Sequence, residues 1–108
     1  MIVLYGIKNC DTVKKARQWL DAQKVEYRFH DFRVDGLYAA QLEEFAHKTS
    51  WELLLNKQST SWRQLDESRK LNLTQSSMLQ LMLEFPTLIK RPVLDTGTEI
   101  LLGFKADQ

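Results

Sequence analysis

Cys10 is the only cysteine among the 108 residues, and it stands in a telling place. Before it lies an apolar run, Ile2-Val3-Leu4-Tyr5, closed by Gly6; after it the apolar spacing becomes helical. A thiol at a helix start faces backbone N–H groups that lack intrahelical acceptors, together with roughly half a positive charge. Both favour the thiolate, which is the nucleophilic form. Lys8, Lys14 and Lys15 add positive potential, and Asp11 opposes it. The net expectation is an activated thiol. A lone cysteine is also ordinarily a small, inert core residue, so position alone leaves both roles open. A second feature shifts the balance. In "LIKRPVL", Leu88 to Leu94, Arg91-Pro92 precedes a strand. Proline at the first position of a strand removes no needed ladder donor, and an X–Pro bond tolerates the cis form at modest cost. Arg91 supplies a fixed, forked cation that can hold an oxyanion or a carboxylate.

Positioning these groups requires particular elements. Ile2 to Tyr5 reads as a buried strand. From Asp11, Val13, Ala16 and Leu20 fall on one face with Trp19 adjoining, which predicts an amphipathic helix over about 11–23. Lys14, Lys15, Arg17 and Gln18 form its wet face. "VEYRFHDF", Val25 to Phe32, alternates like a half-buried strand with Glu26, Arg28 and His30 outward. The opening is therefore β-α-β, with the two strands parallel. A helical block follows, with an apolar stripe at Tyr38, Leu42, Phe45 and Ala46. After it come a short turn at Trp51 to Leu55, a polar, loop-like stretch from Asn56 to Leu65, and a helix N-capped by Thr74 and ended at Phe85-Pro86. Pro92-Val93-Leu94, a turn at Asp95 to Thr98, and Glu99 to Leu102 predict a hairpin. The expected architecture is α/β, a thioredoxin-like fold with a mixed four-stranded sheet and a helical insertion. It forms one domain over 1–108, with the core at about 1–33 and 86–108 and the insertion at about 34–85. In such folds a cis-proline before the third strand faces the active-site cysteine.

Composition narrows the function. Fifteen basic and fourteen acidic residues give a formal charge of +1, which offers no broad footprint for nucleic acid. No apolar run approaches the about 20 residues of a membrane span, and the N-terminus lacks the pattern of a secretion signal. With one cysteine and no export signal, a cytoplasmic location is expected. No Cys/His/carboxylate cluster has zinc-ligand spacing, and no glycine-rich phosphate loop appears; no bound metal or cofactor is expected. His30 and His47 are expected on solvated faces, and Trp51 and Trp62 as packing anchors.

Taken together, "YGIKNCDT", "LLN…STSWR" and "IKRPVL…GFK" resemble the arsenate reductase-like family, the group containing ArsC, Spx and YffB, and most closely its YffB branch. The resemblance spans nearly the whole chain. It implies a catalytic cysteine at Cys10 with Arg91 as its partner. It implies substrate contacts at Lys8, Asn9, Asn56, Arg63 and Pro92. In the arsenate reductases of the family the thiolate attacks arsenate, glutathione resolves the adduct and glutaredoxin completes the cycle. Three arginines surround the cysteine there. Here one falls on Arg91, one is replaced by Asn56, and the third has no arginine counterpart. Lys57, Arg63 and Lys105 are the cations that could compensate. Each lost charge-assisted contact removes about 1.5–3 kcal/mol, so the resemblance implies at most weak arsenate reduction.

Three residues after Cys10 stands Val13, so no Cys-x-x-Cys exists and an external thiol must release oxidised Cys10. The expected activity is that of a glutathione-dependent thiol reductase. Glutathione is its co-substrate, glutaredoxin a further partner, and the chain a monomer that engages neither nucleic acid nor membrane. Glutathione carboxylates would suit Arg91 and the lysines of the first helix. The alternative within the family is an Spx-like transcriptional regulator that binds RNA polymerase; most Spx members carry the Cys-x-x-Cys missing here.

Overall fold

In the computed structural model, which describes residues 2–103, the chain forms two compact units. One combines Met1–Gly36 with Arg91–Gln108; the other is Leu37–Lys90.

The first unit is built on a four-stranded sheet. β1 (Val3–Gly6), β2 (Arg28–Asp31), β3 (Val93–Asp95) and β4 (Ile100–Leu102) lie in the order β2-β1-β3-β4. β1 pairs parallel with β2, with Tyr5 opposite His30 and Gly6 opposite Asp31. β3 pairs antiparallel with β1 and with β4, which completes the mixed β-α-β…β-β sheet. The crossover helix α1 (Asp11–Ala22) buries Val13, Ala16 and Leu20. Ala16 and Leu20 join Leu4 in a core that Trp19, Val25, Tyr27, Phe29 and Leu94 flank. The wet face holds for the exposed Lys14 and Lys15. Arg17 departs from it: its guanidinium lies 4.4 Å above the Phe29 ring and its Nε–H donates to the Tyr27 hydroxyl at 3.4 Å. With no glycine available, α1 ends through Lys24 in the left-handed region (φ 58°), its amide donating to Asp21 C=O.

β2 is shorter than its alternating pattern implies, and His30 is not outward. The residue is only 9% exposed. Its ring centre lies 5.0 Å from that of Tyr5, with Nε2–H donating to Gly36 C=O at 2.7 Å. The simple alternation fails because His30, Asp31 and Phe32 are consecutively buried as the strand turns into the 31–36 bend.

The second unit holds α2 (Ala39–Lys48), α3 (Trp51–Leu54), α4 (Thr60–Gln64) and α5 (Gln75–Glu84), with 3-10 turns at Glu67–Lys70 and Pro86–Leu88. Its core includes Leu42, Phe45, Leu54, Met78 and Met82. Thr74 caps α5 as expected, accepting from the Ser77 amide. The stretch 56–65 is not simply a loop. Ser59 accepts from the Trp62 amide and starts α4, a cap hidden in a run of polar residues. Among the described residues, no helix is long and apolar enough to cross a membrane.

Candidate functional site

Cys10 is the N-cap of α1, with extended backbone (φ −92°, ψ 125°). Its carbonyl accepts the first helical bond from the Lys14 amide at 2.9 Å, and its own amide donates to Ile7 C=O at 3.1 Å. No side-chain cap bond is made by the thiol, which is free and partly exposed. The sulfur therefore stands on the residue that immediately precedes the open amides of the first turn. Two things bring the helix start this close to the sheet. Gly6 has no side chain to hold α1 away, and Val13 occupies that space. Lys8 and Asn9, both exposed, form the loop between them.

Arg91 and Pro92 come to the same end of the sheet. Tyr5 is opposite Val93 in the β1–β3 pairing, so the residues just before Val93 stand where β1 leads into the cysteine loop. The Arg91–Pro92 bond is cis. Pro92 is fully buried, and its carbonyl accepts from the Gly103 amide at 2.9 Å, so the ladder is kept although proline has no donor. Arg91 is partly buried. Among the described residues, its Nε–H is a buried donor without an acceptor.

Asn56 and Arg63 belong to the helical unit. Asn56 Oδ1 accepts from the Gln58 amide at 3.1 Å, and its carbonyl accepts from the Ser59 hydroxyl at 2.9 Å; the residue shapes the turn into α4. Arg63 is exposed in the last turn of α4. Beside it, Trp62 has Lys57 Nζ 6.0 Å and Lys70 Nζ 5.2 Å from its ring centre. Lys105 lies outside the described residues.

One residue at the site was not legible as such. Asp31, at the end of β2, accepts from the Lys8 amide through Oδ2 at 3.2 Å and from the Arg33 amide through Oδ1 at 2.8 Å. A signal existed. A parallel β-α-β crossover puts the C-terminal ends of both strands side by side, so an acid ending the second strand falls beside the loop leaving the first. Among the described residues, no group of three or more His, Cys, Asp or Glu could hold a metal ion.

Comparison with known proteins agrees with this architecture. The profile of the ArsC family matches residues 5–108. An uncharacterised protein of Haemophilus influenzae is 48% identical over 104 residues, covering 96% of this chain and 91% of its own. Global transcriptional regulator Spx 1 of Lactococcus lactis is 30% identical over 110 residues, covering 100% and 85%. Among solved structures, a protein named YffB superposes with a TM-score of 0.94 at 47% identity, covering 99% of this chain and 94% of that one. On the profile, the relatives and the shared thioredoxin-like sheet, this chain belongs to the ArsC family.

Proposed function

We propose that the chain is a glutathione-dependent thiol reductase with Cys10 as its nucleophile. The observation that carries this reading is the placement of Cys10 at the N-cap of α1, at the sheet end where Arg91 has a buried Nε–H with no acceptor among the described residues. The Cys10 thiolate attacks one sulfur of a disulfide, forming a mixed disulfide and expelling the other sulfur as a thiolate that takes up a proton. Cys10 is the only cysteine in the chain, so a second thiol must come from outside. Glutathione, deprotonated, attacks the substrate sulfur of the mixed disulfide; the Cys10 thiolate leaves, and a glutathione disulfide remains. Each exchange conserves one disulfide bond. Arg91 receives a carboxylate of the tripeptide, Lys8 and Asn9 border the reacting sulfur, and Pro92 holds the facing backbone. With Asn56 in place of an arginine, arsenate is a weak substrate at most.

Incubation with oxidised glutathione tests this by intact-mass spectrometry. The wild-type protein is expected to gain one glutathione rapidly, and Arg91→Ala to lose most of that rate. Absence of an adduct in both proteins would overturn the reading. It would favour a second one, a regulator without turnover, which the likeness to a protein named as a global transcriptional regulator supports.

A further inference from the structure

We infer that Asp31 is the positioning residue of the cysteine loop, acting on Cys10 through the Lys8 amide. The inference rests on the thiol reading of Cys10. Asp31 is 6% exposed, and none of the ion pairs among the described residues includes it. Its carboxylate is instead divided between two backbone donors, one at each oxygen, Lys8 at 3.2 Å and Arg33 at 2.8 Å. The residue itself is held firmly. Its amide donates to Asp35 Oδ2 at 2.9 Å, and its carbonyl accepts from the amides of Val34 and Asp35 at 3.2 and 2.7 Å.

The loop it grips is short. Between Gly6, fixed opposite Asp31 in the sheet, and Cys10, fixed at the helix cap, only Ile7, Lys8 and Asn9 intervene. Two bonds define their path: Cys10 N–H to Ile7 C=O, and Lys8 N–H to Asp31. The second reaches across from a different strand, so it sets where the loop stands relative to the sheet. A carboxylate offers an acceptor at each of its two oxygens, which matches its two backbone N–H donors. Asparagine has nearly the same shape but one acceptor, so Asp31→Asn must turn an NH₂ group toward either Lys8 or Arg33. A displacement of about 1 Å in a reacting group costs up to about a hundredfold in rate.

The test compares wild-type and Asp31→Asn proteins under conditions where both are folded by circular dichroism. Two quantities are read: hydrogen exchange of the Lys8 amide against that of Leu4 in the sheet, and the rate of Cys10 adduct formation with oxidised glutathione. We expect Lys8 exchange to rise about tenfold with Leu4 unchanged, and the adduct rate to fall about tenfold. Unchanged Lys8 exchange, an unchanged adduct rate, or equal acceleration of both amides overturns the role. If the asparagine variant does not fold, Asp31→Glu, which sets both oxygens one methylene further out, is read against the same outcomes. Should wild-type protein form no glutathione adduct, the thiol reductase reading fails separately; iodoacetamide then replaces glutathione as the probe of Cys10, with the same criteria for Asp31.

Discussion

Val13 occupies the space that a side chain at Gly6 would need: a Cβ there would stand 2.7 Å from Val13 Cγ2 and 3.3 Å from Cγ1. Val13 is completely buried. This contact seats the first turn of α1 against the end of β1, and Cys10 is carried on that turn. The close approach of Gly6 to Val13 is thus part of what locates the thiol.

Gly6→Ala is expected to destabilise the fold by about 1–3 kcal/mol, the usual cost of overpacking, read as a lower urea midpoint with unchanged slope. Adding Val13→Ala should recover part of that loss, because the two side chains compete for one space. Strict additivity of the two single changes would show that the contact is not the cause.

Val13 also stands where an internal resolving thiol would be, three residues beyond Cys10. In Val13→Cys, the adduct of Cys10 with glutathione should be short-lived. The second thiol attacks the Cys10 sulfur, an intramolecular disulfide forms, and glutathione leaves. By intact mass, the wild-type protein should remain glutathionylated while the variant ends two mass units below its reduced form. Persistence of the adduct in the variant would show that position 13 cannot reach the sulfur.

Tyr5 gives the fold an alkaline limit. Burial foremost, then the Asp95 carboxylate opposite Val3 in the ladder, raises its phenol above the ordinary value near 10, against a smaller opposing effect of Arg28. The folded state then holds the phenol proton more tightly than the unfolded chain. Stability from this source is whole below about pH 10 and declines as pH rises through the folded value. Tyr5→Phe should therefore shrink the stability lost between pH 9 and pH 11 in urea titrations (about one unit either side of the ordinary phenol value). An identical loss in both proteins would contradict this.

Much of the sheet and of the thiol's setting was legible because local signals agreed with the tertiary outcome. The β-α-β opening, the hairpin at 93–102 and the Thr74 cap each rest on short-range patterns. His30 was misread because period-two alternation assumes one dry face. The strand instead ends in a bend where the ring meets Tyr5 and the Gly36 carbonyl. α4 was missed because its Ser59 cap and its first residues are all polar, leaving no apolar period to detect. Asp31 was missed for a different reason: its partners are backbone amides at Lys8 and Arg33, and a bond to backbone leaves no mark on the partner's residue type.

Alkylation of Cys10 by iodoacetamide at pH 6 is the most direct measurement of the central claim, since it needs neither a substrate nor a second thiol. Compared with free cysteine under the same conditions, Cys10 should react several-fold faster, as thiols at helix N-termini do, because its sulfur stands on the N-cap of α1. A rate equal to or below that of free cysteine would contradict an activated thiol at the cap of α1.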